Sequence, residues 1–598
     1  MKVNDRVKEL RKLMKQKKID VYYIPNEDDH LSEEYTADYY KCKSFISGFS
    51  GDFGCTIVTQ KEAGLWTDGR YFTQAENELK GTCVKLFRLR QEGVPSPFEY
   101  LINNTPKNGT LGFDGSVVSA SVSVALNKAL SKKHCLIQQK LDLVNEVWGK
   151  QRPTMPDAPI FVLPEKYTGQ SRKERITLVR KEMSDYQADV LILTKLEDPC
   201  WLLNVRGNDI ACTPVVYAFA VVTKKDVYYY IDQKNVSKII AKELKADGIT
   251  IRSYQSLATD LRKLKNQTIW VDTDTLNARL FNSILGTNQI LNMPSPIVKM
   301  RAIKTKEEIK NTKHAHIKDG VAMVKFLYWV KHKVGKIPMT EVSAQDKLYE
   351  LRAEQEDYIE PSFPTIAGYR ANAAMMHYTA TEKNHAKINK SGFLLVDSGG
   401  TYYDGTTDIT RTIALGKPTP KEKMYYTKVL QGHLNLSAAK FLQGTTGNNL
   451  DILARGVMWD IDIDYQCGTG HGVGHVLAVH EGPHGIRWGM PMGKRPATPL
   501  LPGMIVTNEP GIYLPHQLGV RIENELLVVK GKHNFYGQFL QFENLTFVPY
   551  DLDAVDTKLL TAAQKKQMNE YHKEVYKRIS PYLSKQEKTW LKHATRAI

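Results

Sequence analysis

Residues 397–408 read DSGGTYYDGTTD, and this stretch decides how the C-terminal half of the chain folds. It follows the apolar run FLLV and carries an aspartate at each end, with small and turn-forming residues between them. Ser398, Gly399 and Gly400 permit a tight turn, so we predict a hairpin with Asp397 and Asp408 on adjacent arms. Aspartate is common at strand ends, so the two carboxylates indicate a metal site only if further ligands follow.

Further ligand types do follow, in order along the chain. GTGHGVGH places His471 among glycines, TNEPG ends a predicted strand at Glu509, and RIEN places Glu523 in the middle of the next predicted strand. Four carboxylates and one imidazole suit two divalent cations, with Mn²⁺ preferred and Zn²⁺ or Co²⁺ as alternatives. The charge of two such cations would nearly balance four carboxylates and a hydroxide.

A second metal pattern competes for the same segment. His471 and His475 are four residues apart, as in the HExxH helix of zinc peptidases. Residue 472 is glycine where that motif needs its glutamate base, and glycines weaken the helix that would align the two histidines. We therefore favour His471 as a ligand of the carboxylate-rich site.

Composition bounds the class of protein. With 598 residues, 42% hydrophobic and 25% charged, the chain is typical of a globular protein with several domains. The net charge of +17 is dispersed and accompanies no nucleic-acid-binding motif, so we expect no nucleic-acid partner.

The cysteines and the lengths of the apolar runs indicate the cellular compartment of the protein. The seven cysteines are scattered and form no CxxC pair, which is typical of reduced thiols in the cytoplasm. The N-terminus is charged where a signal peptide would be apolar, and the apolar runs fall far short of the roughly 20 residues of a membrane span. We predict a cytoplasmic protein with no membrane partner.

Two proline-rich stretches, 152–164 and 292–296, divide the chain into three parts. The first two parts look like duplicates, because a helical apolar stripe precedes a short strand in each. The stripe is Val7, Leu10 and Met14 in the first part, and Ile176, Val179 and Met183 in the second. Each residue of the second stripe lies 169 positions after its counterpart in the first. In the third part, capping boxes predict two helix starts, at Thr305 with Glu308 and at Thr561 with Gln564.

The ordered set DSGG…DGTTDITRT, GHGVGH…VHEGP, TNEPG and RIEN resembles the pita-bread metallopeptidases, which include methionine aminopeptidase, prolidase, creatinase and aminopeptidase P. The resemblance is closest to the cytosolic, three-domain Xaa-Pro aminopeptidases (aminopeptidase P). It includes WTDGRYF and PSFPTI and covers nearly the whole chain. It implies an α/β (α+β) fold with two creatinase-like N-terminal α/β domains, a pita-bread catalytic domain and a helical C-terminal extension. The predicted domains are 1–160, 161–303, 304–535 and 536–598.

The resemblance also implies the role of each site residue. Two divalent metal ions would be held by Asp397, Asp408, His471, Glu509 and Glu523. Of these, Asp408 and Glu523 would bridge both ions, and Glu509 would also be the general base. His377 and His480 would bind the substrate and stabilise the oxyanion. Arg521 would contact the substrate or support a carboxylate.

The implied function is metal-dependent hydrolysis of the N-terminal Xaa-Pro bond, through a water activated by two metals. The substrates would be peptides with proline at the second position, and the enzyme would be a homodimer. Two alternatives stay open: a prolidase that cleaves only dipeptides, and a non-catalytic pita-bread protein that serves as a binding module.

Two features depart from the resemblance. Cys467 stands where relatives often carry a histidine, and a thiol is a weak hydrogen-bond donor, so the substrate contact expected at that position is in doubt. The stretch 486–503 is longer than the usual link to the next strand.

Overall fold

The computed structural model describes residues 1–32, 34–489 and 497–598. They form two compact units: Met1–Leu163 with Gln170–Ile297, and Pro164–Gly169 with Val298–Ile598. In the described ranges no helix combines the length and the apolar character needed to span a bilayer.

The first unit contains two six-stranded mixed sheets with the same strand order and the same pattern of parallel and antiparallel pairs. The first sheet runs Val84–Arg88, Ala63–Thr67, Cys55–Thr59, Val21–Ile24, Thr110–Gly112, Leu136–Gln138. The second runs Ile249–Ser253, Val227–Ile231, Ala218–Thr223, Val190–Leu193, Thr268–Val271, Gln289–Asn292. The equivalence of the two sheets confirms the duplicated α/β domains.

The duplication extends to the helix that precedes each central strand. Helix Val3–Gln16 buries its predicted stripe of Val7, Leu10 and Met14, and helix Arg172–Asp185 buries the equivalent stripe. Ser171 begins the second helix with a capping box, which satisfies the first backbone N–H groups. The other α-helices of this unit are Cys42–Ser47, Phe72–Leu79, Pro97–Asn104, Ala120–Ser131, Leu143–Trp148, Glu197–Leu203, Lys238–Ala246, Leu257–Leu261 and Ala278–Phe281.

The second unit combines helices with antiparallel sheets. Both predicted capping boxes are confirmed, because Thr305 begins helix Lys306–Lys333 and Thr561 begins helix Ala562–Ile579. The other α-helices are Glu165–Thr168, Glu341–Ala353, Pro420–Ser437, Gly447–Trp459 and Lys585–Ala594. Helix Pro296–Ala302 contains the chain position, after Ile297, at which the first unit ends.

The largest sheet of the second unit has six antiparallel strands. They are, in sheet order, Lys440–Leu442, Gly537–Asn544, Asn524–Asn534, Ile505–Asn508, Gly470–Gly472 and Glu481–Ile486. The smaller sheets are Tyr358–Pro361 with Gly400–Tyr402 and Gly405–Thr406, Ile366–Tyr369 with Phe393–Ser398 and Ile409–Ala414, and Gly511–Leu514 with Leu518–Arg521.

One core joins the long helix to the C-terminal helices and to the strands beside the site. Val324 of helix Lys306–Lys333 belongs to the same buried cluster as Val396 and Ile413 from neighbouring strands, and as Val575 and Leu591 from the C-terminal helices. Burying an aliphatic side chain of this size contributes about 1.5–3 kcal/mol. The C-terminal helices are therefore part of the core that supports the site.

Two local predictions need correction. The chain does not turn at Ser398–Gly400, because Gly400–Tyr402 forms another strand and its partner begins at Gly405. Asp397 and Asp408 still belong to adjacent antiparallel arms, since Ser398 pairs with Ile409. Glu523 lies in the two-residue break between strands Leu518–Arg521 and Asn524–Asn534, not in mid-strand.

Candidate metal centre

Three of the predicted ligands, Asp408, His471 and Glu523, form a compact cluster. Each offers one ligand atom, and these atoms all lie within 4.8 Å of one another. Asp408 and Glu523 are 4% and 1% exposed. Each of the two sits just before the start of a strand, and the backbone N–H of Glu523 donates to the carbonyl of Thr410 at 3.1 Å. That hydrogen bond holds the two carboxylate-bearing segments side by side.

The His471 ring is oriented so that Nε2 faces carboxylates. Its Nδ1 lies 3.0 Å from the carbonyl oxygen of Gly472, so we assign the ring proton to Nδ1. Nε2 then presents a lone pair toward Asp408 Oδ2 and Glu509 Oε1, each 3.4 Å away. With that ring proton placement, three acceptors converge on one point, an arrangement that could hold a metal cation.

Glu509 follows directly on strand Ile505–Asn508 and is fixed by the neighbouring chain. Its backbone N–H donates to the carbonyl of Thr469 at 2.8 Å. The Thr507 hydroxyl donates to Glu509 Oε1 at 3.2 Å and accepts the backbone N–H of His471 at 3.0 Å. Thr507 therefore links the backbone of His471 to the carboxylate of Glu509, a contact that sequence reasoning missed although Thr507 stands two positions before Glu509.

Asp397 is 7% exposed and is held by Arg521. Nη2 of Arg521 donates to Asp397 Oδ2, its Nη1 donates to the hydroxyl of Tyr513 at 2.7 Å, and its Nε donates to Thr410 Oγ1 at 3.1 Å. The sequence identified Arg521 but neither Tyr513 nor Thr410. Thr410 also donates to Glu523 Oε2 at 2.8 Å, so one hydroxyl serves both sides of the cluster.

The electrostatics of the cluster favour bound cations. Burial, followed by the charges of Asp397 and Glu509, raises the pKa of Asp408 well above its ordinary value. Burial, followed by the charge of Asp408, does the same to the pKa of Glu523. The Oδ1 atoms of Asp397 and Asp408 are buried and accept no hydrogen bond. Orphaned carboxylate oxygens beside an imidazole lone pair fit divalent cations that prefer oxygen and nitrogen ligands.

The two predicted substrate-binding histidines lie on different segments. His480 is exposed, and its ring centroid is 4.1 Å from that of His471 in an edge-on arrangement. His377 is half-buried in the turn that follows the 3-10 helix Arg370–Ala374, and the adjacent Met376 carbonyl lies 3.5 Å from Arg521 Nη2. His480 thus adjoins His471, and the turn with His377 adjoins the group that holds Asp397.

A buried ion cluster, missed by sequence reasoning, supports the segment that carries His480. The carboxylate of Glu481 accepts hydrogen bonds from Lys304 Nζ and, at 3.3 Å, from Arg301 Nη1, and all three side chains are at most 3% exposed. Lys304 precedes Glu481 by 177 residues, so no local pattern could reveal the pair.

The remaining sequence features have structural surroundings. His475, the second histidine of the rejected zinc pattern, places Nδ1 3.1 Å from Thr312 Oγ1 and Nε2 3.0 Å from the carbonyl of Tyr167, and His471 lies on a strand. Cys467 is half-buried, and its carbonyl accepts from Arg455 at 3.2 Å. Of the long stretch 486–503, residues 490–496 lie outside the described residues.

Family models match the chain in four consecutive segments. The creatinase/prolidase N-terminal domain matches residues 6–142 and, in a second model, residues 151–308. Metallopeptidase family M24 matches residues 310–530, and the C-terminal region of peptidase M24 matches residues 538–598.

Whole-chain relatives agree with these matches. The chain is 39% identical over 593 residues to a probable Xaa-Pro aminopeptidase P of Laccaria bicolor, covering 97% of this chain and 91% of that protein. It is 36% identical over 615 residues to Xaa-Pro aminopeptidase 1 of Dictyostelium discoideum, covering 100% and 97%. The crystal structure of X-prolyl aminopeptidase from Caenorhabditis elegans, a cytosolic enzyme with a di-nuclear active site, superposes with a TM-score of 0.94 at 31% identity, covering 100% of both chains.

These similarities confirm the family and the fold class that the ordered motifs predicted. The chain therefore belongs to the Xaa-Pro aminopeptidases of metallopeptidase family M24.

Proposed function

We propose that this protein hydrolyses the N-terminal Xaa-Pro bond of peptides and uses two divalent cations as cofactors, with Mn²⁺ preferred. The observation that carries the proposal is the convergence of Asp408, His471 and Glu523, with Glu509 beside them, in a chain of this family. Full-length similarity to Xaa-Pro aminopeptidases supports peptides with proline second as the substrate class.

The five proposed ligands are Asp397, Asp408, His471, Glu509 and Glu523. When bound, two divalent cations would supply a water of lowered pKa as the nucleophile and positive charge for the substrate carbonyl. The converging lone pairs and the orphaned oxygens of the cluster support this assignment.

The side chains of the protein supply proton transfer and orientation. Glu509 accepts a proton from the attacking water and passes it to the proline nitrogen, which leaves as a secondary amine as the C–N bond breaks. His480 and His377 donate hydrogen bonds to the carbonyl oxygen as its negative charge develops. Arg521 keeps the Asp397 carboxylate in place, and Thr507 orients Glu509.

We also propose the domain boundaries 1–160, 161–303, 304–535 and 536–598, a cytoplasmic location and a homodimer. The four family-model segments support the order of the domains. The cytosolic C. elegans enzyme supports the location.

Hydrolysis of Arg-Pro-Pro and of the dipeptide Arg-Pro tests the substrate class. We expect metal-stripped protein to release arginine from the tripeptide only after Mn²⁺ is added, and Asp408→Asn to lose at least about a thousandfold in kcat/KM. Asp460→Asn, an exchange of the same kind at an exposed residue, serves as the control. Cleavage of the dipeptide alone would identify a prolidase, and cleavage of neither peptide would favour the binding module.

A further inference from the structure

The tip of one β-hairpin exposes two adjacent aromatic side chains to solvent. Strands Asn524–Asn534 and Gly537–Asn544 are joined by Phe535 and Tyr536, which we call the aromatic tip. Phe535 is 97% exposed, the highest value among the exposed large apolar side chains of the described ranges, and Tyr536 is 75% exposed. Their rings pack edge-on against each other, with centroids 5.5 Å apart. Contiguous apolar groups that are exposed on a surface are candidates for contact with a partner or a membrane.

The neighbouring strand extends the apolar surface. Leu442, at the end of strand Lys440–Leu442, is 41% exposed. One of its methyl groups lies 4.0 Å from the position that a Cβ on Gly537 would occupy. The tip and Leu442 therefore form one small apolar surface at the corner of the sheet.

Basic side chains flank the aromatic tip along its own hairpin and the adjoining strand. The exposed basic side chains nearest to it in the hairpin and the adjoining strand, which we call the basic flank, are Lys440, Lys530, Lys532 and His533. Residues 526–542 and 437–448 contain no aspartate or glutamate, in a chain that has 65 acidic residues. The corner of the sheet therefore carries exposed lysines with no acidic residue in either segment.

The turn itself does not require aromatic residues. Two-residue hairpin loops favour glycine, asparagine or aspartate, because these residues tolerate the turn conformations at low cost. Neither Phe535 nor Tyr536 has a positive φ, and at 97% and 75% exposure neither ring is part of the core. Neither the turn conformation nor core packing therefore accounts for the two aromatic residues.

Aromatic rings beside lysines suit the surface of an anionic bilayer. Phenylalanine and tyrosine insert at the boundary between head groups and acyl chains, where one end of the ring is apolar and the other is wet. Lysines close to such a surface are attracted by anionic head groups within a Debye length. Both requirements are met within a single hairpin.

The position of the hairpin leaves the candidate metal centre free. Glu523 immediately precedes strand Asn524–Asn534, which has 11 residues. A strand of that length spans roughly 35 Å, so the aromatic tip and the metal centre lie at opposite ends of it. A surface that contacts the tip would therefore lie at the far end of this strand from Glu523.

We propose that the aromatic tip and the basic flank dock this protein on bilayer surfaces that contain anionic phospholipid. The sequence predicted no membrane partner, because it lacks a spanning segment and because NFYG within a strand pattern does not reveal that its rings project into solvent. The inference is independent of the proposed peptidase reaction.

Vesicle co-sedimentation of the full chain tests the proposal. We expect binding to phosphatidylcholine vesicles that contain phosphatidylserine, and about tenfold weaker binding for the double variant Phe535→Ser/Tyr536→Ser. Lys530→Gln/Lys532→Gln should weaken binding to a similar degree and reduce its dependence on salt. The control, Tyr349→Ser/Tyr582→Ser, removes two tyrosines that are 53% and 59% exposed elsewhere and should bind like the wild type.

Peptidase activity toward Arg-Pro-Pro, or the circular dichroism spectrum if no activity is found, verifies that each variant is folded. Four results would overturn the proposal. The first is an absence of binding to phosphatidylserine vesicles at low ionic strength. The second is equal binding by the wild type and the Phe535→Ser/Tyr536→Ser variant, and the third is equal binding to vesicles without phosphatidylserine. The fourth is a change of oligomeric state in that variant by light scattering, which would identify the tip as a contact between copies of the chain.

Discussion

At the scale of single residues, Arg521 is the side chain that most directly controls a proposed metal ligand. Its guanidinium contacts Asp397, Tyr513 and Thr410 at once, in a geometry that the single ammonium group of lysine cannot reproduce. We expect Arg521→Lys to lower Mn²⁺ affinity and kcat/KM by about 10–100-fold. Isothermal titration with Mn²⁺ measures the first effect and tripeptide hydrolysis the second.

Arg578→Lys is the matched control, because Arg578 pairs with Glu574 at a surface where both side chains are at least 40% exposed. Unchanged Mn²⁺ affinity in Arg521→Lys would contradict the supporting role of Arg521.

A second residue-scale prediction concerns Asp28 in the first unit, far along the chain from the site. Its carboxylate accepts hydrogen bonds from the backbone N–H groups of His30 and Ser32 and from the hydroxyl of Tyr217. Burial, followed by the charge of Asp29, nevertheless raises the pKa of Asp28 from 3.8 to about 7. The folded protein therefore binds this proton more tightly than the unfolded chain does.

The sign of the pH dependence follows from that difference in pKa. Below pH 3.8 both states are protonated, and the contribution to stability is fully present. Between pH 3.8 and about 7 only the unfolded state ionises, so stability falls, by about 4 kcal/mol in total. Asp28→Asn removes this titration. We expect the thermal midpoint of Asp28→Asn, measured relative to that of the wild type, to increase as the pH rises from about 5 to about 8. A difference that does not change with pH would contradict the prediction.

Some residues of the site were predictable from the sequence and others were not. His471, Glu509 and the three other predicted ligands carry distinctive residue types within ordered motifs, so the order of the motifs and the resemblance to a known family identified them. Thr410 and Thr507 are common residues whose hydroxyls matter only through where they point. Their contacts could not be read from the motifs.

At the scale of elements, the Lys304–Glu481 pair ties the start of strand Glu481–Ile486 to the segment after helix Pro296–Ala302. Removing one partner of a buried ion pair costs up to about 3–5 kcal/mol, and here Arg301 remains as a second cation for Glu481. We expect Lys304→Met to lower the free energy of unfolding by that order. It should also raise KM more than it lowers kcat, because His480 adjoins Glu481.

The double variant Lys304→Met/Glu481→Gln checks the cause. It removes both partners, so the coupling between them is measured by how far the loss in the double variant departs from the sum of the losses in Lys304→Met and Glu481→Gln. Urea denaturation measures the stability, and tripeptide kinetics separates KM from kcat. Additive losses in the double variant would contradict the coupling.

Element boundaries were predictable where local chemistry fixes them. The capping boxes at Thr305 and Thr561 set helix starts, because side chain and backbone satisfy each other within one turn. The turn after Asp397 was not predictable. Gly400–Tyr402 pairs with Tyr358–Pro361, a partner some forty positions earlier, and that ladder carries the chain onward where a tight turn was expected.

At the scale of the whole molecule, the duplicated sheets were predictable because both copies keep the same offset and the same apolar stripe. The core that joins helix Lys306–Lys333 to the C-terminal helices was not predictable, because its contacts link residues more than 200 positions apart. The aromatic tip likewise became visible only when the fold determined which side chains reach solvent.

The central claim is that five side chains on separate segments hold two divalent cations that make this chain a peptidase. The measurement that tests it most directly is the number of Mn²⁺ ions bound per chain, by equilibrium dialysis and elemental analysis, set against tripeptide hydrolysis in the same samples. We predict two ions per chain at full activity, and loss of both binding and activity in Asp408→Asn. Full activity in metal-free protein, or full activity with Asp408→Asn, would contradict the account.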